Sequence, residues 1–499
     1  MNTTHRTTVH LVGNAHIDPV WLWRYSSGVT EAIATCHTAA ALLDRYPEFV
    51  FTRADSWVYE QIERFDPALF ARIRDHVRGG RWDATGGWYL QPDCNFPTEE
   101  AFLAHMRIGK EYFRESFGLE VTTGMNVDSF GHTAFLPRFL RQSGFDSYVF
   151  MRPGVHEREL PSELFRWSSP DGHEVLTWRI QQSYNAESPV ALERNIEVSL
   201  AAAAPGIPHV LCYYGVGDHG GGPTAELIEW IIDNKQRFPG VDLEFSSPTR
   251  FFDALRAYPE ELESLPRVTG ELQYHAIGCY SVLGSFRRRL RQAEYSVIEA
   301  DLLGDAANKT REAWKPILLN QFHDTAGGTC IKEAYHEAEN QLGAASVRAE
   351  GLIADSCYGR LVSLAPARQQ RMVLFNSTEA VFRGPVSHEP WLEWKAFRGT
   401  LLDSDGAPTS YQLSQQSALM GEKRLMTWIA EIPAGGVAEY YLDPSPSIGA
   451  ADHAGTPPAK GTHWTILPAE DDRTLFSFQS ADHSTSTGRV KLIVLEDTS

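Results

Sequence analysis

Residues Val9–Trp21 read VHLVGNAHIDPVW, and the fold class turns on that stretch. Val9–Val12 is a short apolar run with β-branched residues, the composition of a strand buried in a parallel sheet. His16 and Asp18 follow its C-terminal end. Residues two apart on an extended chain project to one face, so an imidazole and a carboxylate emerge together. Pro19 suits the first position of a following helix, with Asp18 as its cap. In α/β layers functional groups gather at strand C-termini. A helix cap beside a structural histidine is the commoner reading of such a stretch taken alone.

Working outward, the pattern repeats. Val9–Val12, Phe49–Arg53, Trp82–Thr85, Val121–Val127, Ser147–Met151, Val175–Arg179, His209–Tyr214 and Leu243–Ser246 read as strands. Thr30–Asp44, Glu99–Ser116 and Thr224–Arg237 read as helices between them. The alternation predicts parallel strands in an α/β layer, either closed into a barrel or open. From about Gly270 the texture changes. Ser281–Ala307, Thr310–Asn320 and Ile331–Leu364 have apolar positions three and four apart and predict a small helical bundle. Ala365–Gln370 reads as a linker, and the alternating runs after Arg371 read as antiparallel β structure. Ile448–Gly461 is Gly, Ala and Pro rich and reads as a loose loop before the closing RVKLIVLEDTS. The expectation is a multidomain α/β + α + β chain: an α/β catalytic domain over 1–255, helices over 256–366, and a β-rich part over 367–499 that reads as truncated.

Composition excludes several classes. The 499 residues are 42% hydrophobic with 13 Trp, ample for packed cores. A net charge of −19 repels phosphate backbones, so nucleic acid is not expected as a partner. No apolar run reaches the ~18 residues that span a bilayer, so no membrane partner is expected. The N-terminus carries no apolar leader segment, and the six cysteines are far apart with no CxxC pair. Both point to reduced thiols in a cytoplasmic protein.

Three further segments carry chemistry. Asn126-Val127-Asp128-Ser129-Phe130-Gly131-His132 follows an apolar strand, and Asp128 has no evident structural task because Thr133 is nearer the next helix. Tyr213–Thr224 is Gly-rich with Asp218 at its centre. It lacks the spacing of a phosphate loop, and the aspartate would repel phosphate, so a carboxylic acid in a pocket is expected there. Asn320–Thr329 (NQFHDTAGGT) closes an amphipathic helix with an adjacent His-Asp pair and two glycines. Two histidines and two aspartates from distant segments make a four-ligand divalent site, which zinc would accept, though no piece has a short zinc spacing. Arg287, Arg288, Arg289 and Arg291 read as a solvated or salt-bridged helix face. Trp21, Trp23, Trp57, Trp82 and Trp88 read as core or as sugar-stacking surfaces, and Asp93 as an exposed loop residue.

Taken in order, HIDPVW, GGWYLQPD, DSFGH, GVGDHGGGPT and QFHDTAGGT resemble the blocks of the α-mannosidases of glycoside hydrolase family 38, over about residues 8–365. The resemblance implies an N-terminal α/β barrel-like domain, a three-helix bundle and C-terminal β-sandwich-type structure. It implies a retaining hydrolase of α-linked mannose with one divalent metal ion, Zn2+ first. By position, His16 and Asp18 match the first two metal ligands, Asp128 the ligand that is also the nucleophile, and His323 the last ligand. Asp218 stands where the general acid/base is found. Trp88, Asp93 and Asp324 fall among the substrate-binding residues. An α-mannoside or manno-oligosaccharide is the implied substrate, and a homo-oligomer is left open. Two departures stand out: Asn126 and Val127 replace a Trp and a Pro, and the family's further β domains are not in the sequence, which ends at Ser499. A catalytically impaired sugar-binding pseudoenzyme and a zinc-dependent polysaccharide deacetylase are the alternatives.

Overall fold

The apolar run at Val9 widens in the computed structural model into β1 (Thr7–Asn14), whose last six residues are buried. The structure describes residues 6–217, 220–303, 307–365, 367, 369–389, 399–415, 424–445, 464–467 and 475–478. By internal packing the chain divides into two compact units, Met1–Ile298 with Asn308–Ala349, and Glu299–Ala307 with Glu350–Ser499.

The first unit adds β2 (Phe51–Ala54), β3 (Trp82–Thr85), β4 (Thr123–Asn126), β5 (Ser147–Phe150), β6 (Leu164–Ser168), β7 (Glu174–Arg179), β8 (His209–Tyr214), β9 (Val241–Phe245) and β10 (Arg267–Thr269). One sheet runs β3-β2-β1-β8, with β9 also on β1, and every pairing is parallel. The second runs β10-β6-β7-β5-β4 and is parallel except for the β6–β7 hairpin. Isolated bridges join Gly86 to Gly124 and Ala186 to Gly215. β2, β4 and β5 are buried at every position, the polar Thr52, Arg53, Thr123, Asn126 and Ser147 included. Helix Tyr25–Arg45 buries Val29, Ala32, Cys36, Ala39, Ala40 and Leu43, the three-and-four spacing of one apolar stripe. Thr98, Ser188, Thr224 and Ser247 cap the helices that follow them, each accepting the backbone N–H three residues on.

The expected strands all occur, within a few residues of their anticipated ends, but β6 and β10 were not anticipated. Arg166 on β6 pairs with Glu174 on β7 and with the distant Glu263, so charge interrupts the apolar pattern of β6. The later helices span Gly284–Leu302, Ala307–Asn320, His323–Gly327 and Lys332–Leu361. The arginine run is salt-bridged at one member: Arg291 pairs with the buried Glu294, and Arg287 donates to the Ala326 and Cys279 carbonyls.

In the second unit β11 (Gln370–Phe375), β12 (Phe382–His388), β13 (Thr400–Leu402), β14 (Pro408–Thr409), β15 (Tyr411–Gln415), β16 (Arg424–Ile432) and β17 (Val437–Asp443) form two antiparallel sheets, β11-β17-β13-β14 and β12-β16-β15. Met372, Leu374, Met426, Trp428 and Leu442 fill their core. The expected loop Ile448–Gly461 and the closing RVKLIVLEDTS lie outside the described residues. Among the described residues no helix is long and apolar enough to cross a membrane.

Candidate active site

His16 and Asp18 leave the C-terminal end of β1, Asp128 leaves β4, and His323 opens the short turn after helix Ala307–Asn320. These three segments meet in the interior. His16, Asp18 and His323 are each no more than 2% exposed, and Asp128 is 8% exposed. His16 Nε2 stands 3.0 Å from Asp18 Oδ1, and His323 Nε2 stands 3.9 Å from Asp18 Oδ1 and 3.8 Å from Asp128 Oδ2. Asp324 Oδ2 is 3.4 Å from His323 Nε2. The two imidazoles lie nearly parallel, with centroids 5.5 Å apart.

Neither ring nitrogen of His16 or His323 makes an aligned hydrogen bond. Close approach without alignment is how atoms lie when aimed at a common third point. Ligand atoms bound to one ion at ~2.0–2.2 Å sit roughly 3–3.6 Å apart and never beyond about 4.4 Å. The separations above fall inside that bound. His16, Asp128 and His323 form one group able to hold a metal ion, and Asp18, His323 and Asp324 a second that shares His323. The donor set of imidazoles and carboxylates suits a divalent cation.

The electrostatics of the two imidazoles differ. Burial drives the His323 imidazole well below its ordinary value, helped by His16, which leaves it neutral as a ligand must be. Burial also works to lower His16, but the Asp18 and Asp128 carboxylates outweigh it and hold that ring above its ordinary value. Burial, with the Asp18 and Asp128 charges, pushes the Asp324 carboxyl up to about 8. A pocket this rich in buried carboxylates favours cations.

Asp128 is held from behind by a residue that motif reasoning missed. Arg152 Nε donates to Asp128 Oδ1, and Arg152 Nη1 lies 3.0 Å from His275 Nε2, whose Nδ1 is 2.6 Å from Glu157 Oε1. Tyr184 donates to Asp128 Oδ2 at 3.5 Å and sets its ring edge-on to His16. The signal for Arg152 was present: SYVFMRP places a cation two residues past an apolar strand. It lacked any local partner in sequence.

Trp88 is fully buried, stacked on Phe145 and edge-on to His105. Asp93 is corrected from exposed to fully buried. Its Oδ1 accepts the Asn95 and Phe96 N–H groups at 2.9 and 2.7 Å, and Tyr280 donates to Oδ2. Its own N–H donates to the Gln321 carbonyl at 2.7 Å, so this loop pairs with the backbone leading to His323. Asn126, one of the two departures, donates to the Pro92 carbonyl at 3.2 Å and to Ser129 Oγ at 3.0 Å, tying the Asp128 turn to the same loop. Asp218 lies outside the described residues. The loop base is described: Val216 N–H donates to the Gly222 carbonyl at 3.1 Å.

The model for the glycosyl hydrolases family 38 N-terminal domain matches residues 6–270, and that for the alpha mannosidase middle domain matches 257–359. The chain belongs to glycosyl hydrolase family 38. Among its family 38 relatives, Alpha-mannosidase G of Dictyostelium discoideum is 28% identical over 348 residues, 67% of this chain and 32% of that protein. Alpha-mannosidase 2C1 of Homo sapiens is 28% identical over 352 residues, 66% and 33% respectively. The chain thus spans about a third of the length of the curated relatives it matches. The solved structure of an alpha-mannosidase from Enterococcus faecalis V583 has the same fold, with a TM-score of 0.71 at 18% identity over 88% of this chain and 56% of that one.

Proposed function

We propose that this family 38 chain carries the catalytic part of a metal-dependent retaining α-mannosidase that releases α-linked mannose from oligosaccharides or glycosides. One observation carries the reading: His16, Asp18, Asp128 and His323 converge from distant segments, with imidazole nitrogens that have no hydrogen-bonding partner. These four residues would hold one divalent ion, Zn2+ by preference. When bound, such an ion supplies a Lewis-acidic anchor for a cis pair of sugar hydroxyls, which mannose has at O2 and O3 and glucose lacks.

Asp128 attacks the anomeric carbon as the glycosidic C–O bond breaks, giving a glycosyl ester. Arg152 fixes the carboxylate's other oxygen during the attack. Asp218 donates its proton to the leaving oxygen, then takes one from the water that displaces Asp128, so the anomeric configuration is retained. This needs the two carboxyls ~5–5.5 Å apart. Support comes from Gly215, at the base of the Asp218 loop: a Cβ there would come 2.2 Å from the Asn14 carbonyl oxygen, so the loop leaves from beside the His16 segment. Asp324 is assigned to a sugar hydroxyl, and Trp88 and Asp93 to shaping that side of the pocket from behind.

The bridges Gly86–Gly124 and Ala186–Gly215 support one barrel-like wall from the two sheets, with a three-helix bundle after it. The division 1–255, 256–366 and 367–499 follows the same reading. All six cysteines are free thiols, which supports a cytoplasmic setting.

The test is an assay of the purified chain on p-nitrophenyl α-mannoside, with and without chelator. Release of p-nitrophenol that is lost on chelation and restored by Zn2+ is the expected result, with a fluorosugar trapped on Asp128. Mannose binding without release would favour the sugar-binding reading, and deacetylation with no sugar adduct would favour the deacetylase.

A further inference from the structure

Behind the ligand cluster lies a second buried polar layer that the proposed chemistry does not use. Asp55, one residue past β2, is 2% exposed and adopts φ 73°, a conformation an L-residue other than Asn or Asp rarely takes. Holding it there costs about 1–3 kcal/mol, and such strain persists where a side chain is needed in one direction. The carboxylate it turns inward is only partly satisfied. Gln91 Nε2 donates to Oδ2 at 3.2 Å, and Arg53 Nη2 is 3.7 Å away, beyond hydrogen-bond distance. Oδ1 has no hydrogen-bonding partner.

Two connections lead from this carboxylate to the metal centre. β1 and β2 run parallel with Gly13 opposite Phe51 and Asn14 opposite Thr52. Continued past the strand ends, that register sets Ala54 opposite His16 and Asp55 opposite Ile17, one residue along from each. Arg53 Nη1 donates to the Ala15 carbonyl and locks the two chain ends together. The His16 charge acts on the Asp55 carboxyl, after burial and Arg53. The second connection is Gln91, whose Oε1 accepts the Val127 N–H at 3.0 Å, one residue before Asp128. A histidine that gives one nitrogen to a metal normally donates its other N–H to a carboxylate or carbonyl, which fixes tautomer and ring orientation. His16 Nδ1 has no such partner among the aligned hydrogen bonds, and Asp55 Oδ1 is a buried acceptor without a donor.

We propose that Asp55 is a positioning residue of the metal centre: it accepts the Nδ1–H of His16 when a cation takes Nε2, and through Gln91 it steadies the backbone that presents Asp128. This rests on the reading of His16 as a metal ligand. Charge balance with Arg53 alone does not require a strained backbone, nor an oxygen left without a donor.

The experiment measures Zn2+ affinity by competition with a chromophoric chelator, and the visible spectrum of the Co2+ form, for the full chain and for Asp55→Asn, Asp55→Glu, His16→Gln and the Asp55→Asn/His16→Gln pair. Asp55→Glu keeps the charge opposite Arg53 and so guards against simple misfolding of Asp55→Asn; urea unfolding of the metal-free proteins checks both. The expected result is a 10–100-fold loss of Zn2+ affinity and an altered Co2+ spectrum in either Asp55 variant. The further loss on going from His16→Gln to the pair should be much smaller than the loss Asp55→Asn causes in the full chain, the remainder being the Gln91 route. Unchanged affinity and spectrum in a folded Asp55 variant, or equal losses with and without the His16 ring, overturn the proposal. Absence of Zn2+ binding by the unaltered chain would instead sink the metal centre itself.

Discussion

Gly28→Ala tests whether the ligand loop is held by backbone packing. Gly28 sits in the first turn of helix Tyr25–Arg45. A Cβ there would come 2.1 Å from the Pro19 carbonyl oxygen, 2.7 Å from its carbonyl carbon and 2.9 Å from its Cα. In a free helix the change would stabilise by about 0.5–1 kcal/mol. Here the Cβ meets backbone, which cannot rotate aside. A comfortable carbon–oxygen contact of about 3.2 Å requires roughly 1 Å of movement, and overpacking of that kind costs about 1–3 kcal/mol. The difference is a net loss of up to about 2.5 kcal/mol. The segment displaced is Asp18-Pro19, and a site of this kind tolerates only about 0.5 Å. Turnover should fall up to about 100-fold, with weakened Zn2+ binding. Urea unfolding followed by Trp fluorescence, together with chelator competition, reads both effects. A variant more stable by 0.5–1 kcal/mol, as in a free helix, with unaltered Zn2+ affinity, would refute the claim that helix and ligand loop are in contact-limited packing.

Asp128→Ala removes the proposed nucleophile and should cut p-nitrophenol release at least about 1,000-fold; substantial remaining turnover takes that role from it. Asp218→Asn should lower turnover of a manno-disaccharide by about 100–10,000-fold, and that of a substrate with an activated leaving group much less, because only the former needs a proton on departure. Equal losses on both substrates would contradict the acid role. Burial lowers His10, His105 and His132 each to about 3. Their folded values lie below the unfolded ~6.5, so the unfolded chain binds more protons, and stability, full above pH ~6.5, is lost as pH falls towards 3. The slope is up to about 1.4 kcal/mol per pH unit for each group. A urea midpoint at pH 5.5 equal to that at pH 7.5 would show that these rings are not buried neutral.

What could be read from sequence and what could not follows from the range of the forces involved. Strand β1 and its polar sequel were legible because burial on both faces leaves an unbroken apolar run, and the turn after it must carry whatever the site uses. Strand β6 was not, because Arg166 in its middle is satisfied by Glu174 and Glu263, one across a hairpin and one far along the chain, and no local pattern records such a pairing. The proposed ligand residues were legible as separate His and Asp signals whose convergence only the order of family blocks suggested. Their supporting residues were silent in the same way as β6. Arg152 has a plausible place in the sequence, but its reason for being there is a carboxylate twenty-four positions earlier on a neighbouring strand. Asp93 misled for the opposite reason: a polar residue in a loop is exposed by default, yet two backbone N–H groups and the Tyr280 hydroxyl satisfy it, and a satisfied carboxylate can be buried. The rule that separates the two sets is that groups meeting a site from strand ends announce themselves by periodicity, whereas groups that hold them in place are defined only by partners that the fold supplies. Asp55 belongs to the second set, and for that reason its backbone conformation, not its sequence context, is what marks it.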